Sequence, residues 1–600
     1  MKATVKATAL RVSLRQLIRH LVGYLGTANL VLVLAAVTGV LSGLIAVVLK
    51  NGVAWIRGAQ HVDGVPAWIL PTTGLVLTWL LVRFVLQRKH PGTGIPATLH
   101  AISKRRARLA RPTMLSPVLT SILTVGFGGS AGLEAPAVQS SAAVGSNLGD
   151  LFKLDYRHRL VLIGCAATAS LAAIFKAPLA AIVFAVEVIM IDLTTGSLMP
   201  LLVASLSALL TTSLFIDPEE LINAGRMLSA WDGTVLAYVP FGILCGLGSV
   251  FFAGVYRGAS SLVQLPRHKG VRIALAGAAI GGAVLLFPAL YGEGFEWINA
   301  LLRGETRGLD AAGSLGSLES IGLLAHPTYK LLAMATVLWL LKPALTGLTV
   351  GAGGVGGIFA PALFCGALMG TTYIAGSDLI WPGLHLNEGH FVLAGMAGLM
   401  AGILRAPLTA IFLAAEVSGG YDLFIPLMLT SAIAFQTAKL LRNNSIYTQE
   451  LADRGELITH DKDKAVLTLM KLREVVENDF EAVHPDQTLG ELVKAISRSR
   501  RNIHPVLNDR GELLGIVPLE EVRSVMFDRS KYETTQVRDL MVLPADTIDL
   551  ADRMDGVMAK FDKSRAWNLP VTEQGRYVGF VSRSNLFGAY RKWLQEFSSE

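Results

Sequence analysis

The sequence predicts an all-α polytopic membrane domain of broken helices, followed by a small α+β soluble domain. Three observations predict it. Hydrophobic residues make up 52% of the 600 and charged residues only 16%, with a mean hydropathy of +0.51, whereas soluble domains carry roughly 25% charged residues. A glycine- and proline-rich string recurs 225 residues downstream of itself, the mark of a repeat architecture. Past about Gly455 the long apolar runs stop and charges become dense. Composition also excludes classes. Cys165, Cys245 and Cys365 all lie in apolar stretches, so they form neither a disulfide framework nor a metal site. The net charge of +8 comes from basic residues flanking apolar runs, as at a cytoplasmic membrane face. It calls for membrane lipid as a partner and for no nucleic acid.

Taken in order, residues 1–20 are basic, contain no acid and read as an amphipathic helix on the cytoplasmic surface. The apolar run 30–49 is of spanning length, longer than a signal-peptide core. Runs follow at 67–86, 115–125, 160–174, 179–190, 198–216, 235–255 and 273–290. A second set covers 331–348, 358–374, 391–404, 408–415 and 423–441. Several are too short to cross ~30 Å of hydrocarbon. Many are interrupted by glycine and proline, which a membrane tolerates where backbone is buried in protein or lines a cavity.

Gly126-Phe-Gly-Gly-Ser-Ala-Gly-Leu-Glu-Ala-Pro136 aligns with Gly351-Ala-Gly-Gly-Val-Gly-Gly-Ile-Phe-Ala-Pro361, identical at six of eleven positions. Residues 171–182 align with 400–411 around Lys-Ala-Pro and Arg-Ala-Pro, which sets Glu187 on Glu416. The membrane region is therefore two related halves, 21–233 and 234–455, and a binding site is expected at their interface. After a linker, 456–470, a soluble pair follows at 471–530 and 531–600. Asn502-Ile-His-Pro-Val506, Gly511 and Gly515-Ile-Val517 recur as Trp567-Asn-Leu-Pro-Val571, Gly575 and Gly579-Phe-Val581.

Three segments carry the chemistry: Gly92-Thr-Gly-Ile-Pro96, Gly132-Leu-Glu-Ala-Pro136 and Gly357-Ile-Phe-Ala-Pro361. In each, glycine lets backbone approach closely and proline starts a helix without needing its N–H. Helix N-termini offer unpaired N–H groups and about half a positive charge, so converging ends hold an anion without lysine or arginine. Glycine for close packing explains any one segment, but not three of which two are repeat-related. Two enzyme motifs fail on context. Gly128-Gly-Ser130-Ala-Gly132 resembles a hydrolase elbow, but its repeat copy has Val355 at the serine. Gly351-Ala-Gly353-Gly-Val-Gly356 matches a dinucleotide fingerprint without the βαβ unit it requires. The chain is read as no enzyme. Glu134, an acid inside an apolar glycine segment, is a functional residue by default. Glu187 and Glu416 occupy matched positions, which suggests a shared structural role such as pairing with a helix end.

Together these residues resemble the CLC family of chloride channels and chloride/proton exchangers. Its pattern G-S-G-I-P appears as Gly92-Thr93-Gly94-Ile95-Pro96, G-(K/R)-E-G-P as Gly132 to Pro136, and G-x-F-x-P as Gly357 to Pro361. The family tyrosine matches Tyr447 in Asn444-Ser-Ile-Tyr-Thr448, and the soluble pair resembles tandem CBS domains. The resemblance implies an inverted repeat, a homodimer, and chloride and protons as the ions moved. It implies an anion held by Thr93, Gly94, Ile95, Ile358, Phe359 and Tyr447, and a protonatable gate at Glu134 with Glu187 as a second candidate. No cofactor is required. It further implies a bacterial inner membrane, with the N-terminus and the CBS-type pair cytoplasmic.

The departures are informative. Thr93 stands for serine and keeps the hydroxyl. Leu133 and Ala135 replace a basic residue and a glycine. Val188 stands where exchangers often carry a second acid, which favours a passive gated channel, while compact loops and alanine-rich composition favour chloride/proton antiport. In the CBS-type pair, Glu521 and Asn585 replace the aspartate that holds a nucleotide ribose, and they are the candidate adenine-nucleotide positions.

Overall fold

A computed structural model describes residues 2–598 except 61–65, 87–93, 190–194, 217–234, 304–326, 382, 385, 454–466 and 468–469, and gives the backbone alone for 2–25, 104, 195, 327, 450–451, 453 and 593–598. The chain divides into two compact units, Met1–Gly455 and Glu456–Glu600. The boundary expected between the membrane halves, 233/234, lies outside the described residues.

The first unit is helical. α1 (Lys2–Ala59) is broken at Gly26, whose φ of 68° and ψ of 163° are open only to glycine. The basic N-terminal segment and the first apolar helix therefore meet at residue 26 rather than 20. α2 (Leu70–Leu80), α3 (Gly94–Lys104), α4 (Ser116–Gly126), α5 (Glu134–Leu151), α6 (Tyr156–Phe175), α7 (Pro178–Glu187) and α8 (Thr195–Ser213) complete the first half. The second comprises α9 (Val235–Gln264), α10 (Lys269–Leu286), α11 (Phe295–Leu302), α12 (Pro327–Gly351), α13 (Phe359–Ile380), α14 (Glu388–Leu404), α15 (Pro407–Val417), α16 (Phe424–Leu441) and α17 (Ile446–Asp453). Among the described residues, eight helices are long and apolar enough to cross a membrane, while α4, α7, α14 and α15 are shorter.

The breaks have local causes. α6 and α14 end at Lys176 (φ 55°) and Arg405 (φ 62°), both left-handed. Each is followed by Ala-Pro, and alanine before proline is pushed out of helical backbone, at φ −119° for Ala177 and −128° for Ala406. The proline then opens α7 or α15 from its first position. A left-handed arginine costs roughly 1–2 kcal/mol. Arg405 offsets this by donating to the carbonyls of Phe435, Ala438 and Arg442 at 3.0, 2.8 and 2.6 Å, which satisfies the C-terminal end of α16.

Packing repeats between halves. α1 lies on α6 and α8 as α9 lies on α14 and α16, and α5 lies on α6 as α13 lies on α14. The contact of α1 with α8 runs through Gly39 and Gly43, and that of α9 with α16 through Gly242 and Gly246. A Cβ on Gly43 would come within 2.9 Å of the Ala208 carbonyl oxygen, and one on Gly246 within 2.9 Å of that of Ala434. These are small-xxx-small contacts of membrane helices. Large apolar side chains such as Leu206, Leu214, Leu236 and Leu440 point outward, as lipid-facing surface does.

The second unit holds two like modules. In the first, β1 (Ile503–Leu507) pairs antiparallel with β2 (Leu513–Pro518), with α18 (Leu489–Arg498) before and α19 (Leu519–Arg523) and α20 (Val537–Leu540) after. In the second, β3 (Ile548–Asp549), β4 (Asn568–Glu573) and β5 (Arg576–Ser582) form a sheet in that order. β3 is parallel to β4, β4 is antiparallel to β5, and α21 (Met554–Ser564) and α22 (Arg583–Ser598) flank them. The Val483–Val506 bridge in the first module corresponds to Ile548–Val571 in the second, both parallel. Each module has its own apolar core, and Ile503, Ile516 and Phe580 pack together with Phe480 and Tyr577 to join them. Arg501 braces this junction. It bonds Glu477 and Asp479 at 2.6 and 2.5 Å and lies over Phe480, and its guanidinium holds the Asp479 carboxyl below the usual carboxylate range.

Candidate functional site

The two glycine segments meet directly. Gly132 donates its N–H to Gly357's carbonyl at 2.9 Å, and Gly357 donates to Gly132's at 2.7 Å, an antiparallel bridge between repeat-equivalent residues. The reciprocity extends outward. Ser130 N–H donates to Thr349 Oγ1 at 3.2 Å, and Val355 N–H to Thr124 Oγ1 at 3.1 Å. Within each half, Gly129 donates to Thr124's carbonyl and Gly354 to Thr349's. Each of these bonds thus has its copy in the other half, so the two segments meet about a local twofold.

Glu134 is the first residue of α5 and Phe359 the first of α13. Phe359 fills its position with a ring packed on Phe175 and Phe184, at centroid distances of 5.0 and 6.4 Å. Glu134 has no such use. It is 1% exposed, and among the described residues neither carboxylate oxygen has a hydrogen-bond partner. The amides of Glu134 and Ala360 lie beside it, out of hydrogen-bonding geometry. A buried carboxyl group without a donor is costly, and a structure that keeps one keeps it for its chemistry. Tyr447, the second residue of α17, is 4% exposed, its hydroxyl also lacks a partner among the described residues, and it interacts electrostatically with Glu134. α3 packs on both α5 and α17. Four helix N-termini, those of α3, α5, α13 and α17, therefore face one region that holds two unsatisfied polar side chains.

Gly132 carries the carboxylate's position. A Cβ there would strike Glu134 Oε2 and lie 3.0 Å from Ala360 Cβ. Gly132→Ala should drive the carboxylate from this pocket, cost about 1–3 kcal/mol in overpacking and remove most of the pH dependence of anion flux. A wild-type pH profile in that variant, measured in liposomes, would show that the observed side-chain position is not the controlling one.

The remaining expected residues fall as follows. Gly92 and Thr93 lie outside the described residues. Ile95 and Pro96 open α3, with Ile95 1% exposed. Ile358 caps α13, and Pro136 and Pro361 sit in the first turns of α5 and α13. Gly94 (φ 72°) needs correction, because its N–H donates to Gln139 Oε1 at 2.7 Å and is not available to an anion. Its part is to hold the loop onto α5. Glu187 also has other work. Its oxygens accept from the N–H groups of Leu408 and Thr409 at 3.0 and 2.8 Å and from Thr409 Oγ1 at 2.6 Å. Glu416 reciprocates on Leu179 and Ala180 at 3.1 and 2.9 Å. Each acid caps the other half's helix. In the second unit, Asn585 donates its side-chain amide to Val475's carbonyl at 3.0 Å, and Glu521 is exposed.

Four site-building residues escaped the sequence reading. Thr124 and Thr349 lie in an identical Leu-Thr-Val-Gly stretch, 123–126 and 348–351, so extending the repeat upstream would have found them. Glu293 accepts Leu133's N–H at 3.1 Å, directly before Glu134. Lys342, fully buried, donates to the carbonyls of Leu290 and Gly292 at 3.2 and 2.7 Å. Both are ionisable residues in apolar surroundings, the signal that singled out Glu134.

With this geometry in place, comparison with known proteins decides the family. Residues 73–439 match the voltage gated chloride channel family, and residues 472–528 match the CBS domain. The chain belongs to the CLC family. Among curated relatives, an H(+)/Cl(-) exchange transporter, ClcA, of Salmonella arizonae is 31% identical over 459 residues, covering 73% of this chain and 91% of that protein. Two solved structures share the fold. A slow cyanobacterial Cl-/H+ antiporter has a TM-score of 0.59 at 24% identity and covers 71% of this chain and 98% of its own. A eukaryotic CLC transporter has a TM-score of 0.58 at 18% identity and covers 92% and 97%. The protein is an integral membrane protein of this family, with a CBS-containing C-terminal region.

Proposed function

We propose that this CLC protein exchanges chloride for protons across a membrane, and that Glu134 is the group that takes the proton. The observation that carries this reading is the setting of Glu134: buried, without a hydrogen-bond donor, at the first position of a helix and acting on the unsatisfied Tyr447 hydroxyl. As a carboxylate at helix N-termini it is a tethered anion in the place a chloride would take. Protonated, it loses that attraction and leaves the route to the mobile ion. Thr93, Ile95, Ile358, Phe359 and Tyr447 then hold the dehydrated chloride, with Gly94 positioning the loop. The place holds either the carboxylate or a chloride, and the proton decides which; that competition is the basis of coupling.

By the same resemblance the protein works as a homodimer in a bacterial inner membrane, with its N-terminus and CBS-type unit cytoplasmic. That unit regulates or stabilises and performs no reaction of its own. An adenine nucleotide at Glu521 and Asn585 would have to draw the Asn585 amide away from Val475.

A passive gated channel is the second reading. It is favoured by Val188, 5% exposed, together with the engagement of both Glu187 oxygens in capping. Liposomes loaded with a chloride gradient separate the two. Exchange drives proton uptake in fixed ratio to chloride. A channel drives none and sets the membrane to the chloride Nernst potential.

A further inference from the structure

We propose that Glu293 is a second gating carboxylate, standing between an open cleft and Glu134 and loosening its hold on the amide of Leu133, just ahead of α5, when it takes a proton. The inference rests on the reading of Glu134 as the proton-accepting gate. Glu293 is 9% exposed and lines a cleft of about 1080 Å³ together with Arg57, Gln60, Tyr291 and Glu296. Its Oε1 accepts the N–H of Leu133, the residue that caps α5, while Glu134 occupies the next position. Two carboxylates therefore compete for one helix N-terminus, one buried behind it and one at the cleft.

The fold is built to place this acid. Gly292 (φ 59°) and Gly294 (φ 91°) flank it in left-handed conformations that favour glycine. A Cβ on Gly294 would come within 2.6 Å of the Phe364 ring, so the turn is clamped from outside as well. Lys342 pins the same turn by donating to Leu290 and Gly292, with its ammonium 4.9 Å from the centre of the Phe364 ring. A buried lysine and two left-handed glycines exceed what capping one N–H requires.

The charges that face Glu293 are Arg57 and Lys50 on α1, Lys342 on α12 and Glu134 on α5. Lys50 is itself held by Ile174's carbonyl at 2.7 Å. Three cations facing two carboxylates make a field that also attracts an anion arriving from the cleft. Protonating Glu293 turns its charge-assisted bond to Leu133's N–H into a weaker neutral one that an anion can displace, while protonating Glu134 frees the position behind it. Interacting carboxylates titrate in two macroscopic steps that belong to the pair.

The test is the pH profile of chloride flux in liposomes over about pH 4 to 8 for the full chain and three variants. The wild type should show two steps. Glu293→Gln should lose one, Glu134→Gln the other, and the double variant should be flat. Glutamine at 293 keeps an oxygen for Leu133's N–H, so a purely structural role predicts an unchanged Glu293→Gln profile, and that result overturns the proposal. If Glu293→Gln does not insert, Glu134→Gln decides alone, since a flat profile in it leaves no step for Glu293. Both steps surviving in Glu134→Gln would instead remove Glu134 as a gate. Glu293 would then be judged by whether its variant, or the double variant, loses a step.

Discussion

Glu134→Gln is expected to abolish proton uptake driven by a chloride gradient while chloride still moves, and to leave the fold as stable as before or more so. The two outcomes share one cause. Among the described residues the carboxylate finds no donor in hydrogen-bonding geometry, so its removal breaks no hydrogen bond with them. An unsatisfied buried polar group costs about 1–3 kcal/mol, and a neutral amide of the same shape relieves part of that. An acid kept for structure behaves in the opposite way, because its loss leaves partner amides unpaired. Thermal unfolding in detergent and proton flux in liposomes read the two effects on one preparation. A lowered melting temperature with coupling intact would make Glu134 structural and end the reading. Function held against stability is common at active sites, and here it takes the form of a charge placed where an anion must pass.

The helices were legible because bilayer thickness and apolar length are tied together, and because the halves retain their sequence kinship. The restart of α7 and α15 was readable from Lys-Ala-Pro and Arg-Ala-Pro, where proline chemistry acts locally. Hydropathy served less well where apolar residues are not lipid-facing helix. The apolar run 273–290 includes a turn, because α10 ends at Leu286 and Pro288–Leu290 forms a short 3-10 helix leading into the Glu293 loop. An apolar loop buried in protein has the same composition as a span, and this hid the residue that meets Leu133.

The site was legible to the extent that it is made of backbone. Glycine and proline state where a helix N-terminus can come close: Gly132 and Gly357 make the reciprocal contact, and Glu134 and Phe359 open the helices that follow it. Partners chosen by the fold were not legible. Gln139 takes the Gly94 N–H across 45 residues, and Glu293 reaches Leu133 across 160. The matched pair Glu187 and Glu416 shows the middle case. The sequence suggests that they pair with helix ends, but only the structure shows whose.

Glu187→Ala and Glu416→Ala are each expected to destabilise the membrane unit, by about 2–4 kcal/mol, without decoupling protons from chloride. Each acid sits at the C-terminal end of its own helix, the unfavourable pole for a negative charge, and is held there by the N-terminus of the other half's helix. Glu416 accepts from Leu179 and Ala180, and Glu187 from Leu408, Thr409 and the Thr409 hydroxyl. Hydrogen bonds to a charged group contribute about 1.5–3 kcal/mol each. The estimate is set below their sum because Leu179 and Leu408 are 42% and 52% exposed, so water recovers part of the loss. Glu187→Ala should be the more damaging of the two, since it also strands the Thr409 hydroxyl. The caps share one contact between α7 and α15, so the double variant should lose less than the two single losses combined. Glutamine separates capping from proton transfer. Glu187→Gln keeps an oxygen for the amides and should recover about half the stability, with the proton-to-chloride ratio unchanged. Loss of proton flux in Glu187→Gln at full stability would place Glu187 on the proton route and assign the missing acid at Val188 to its neighbour.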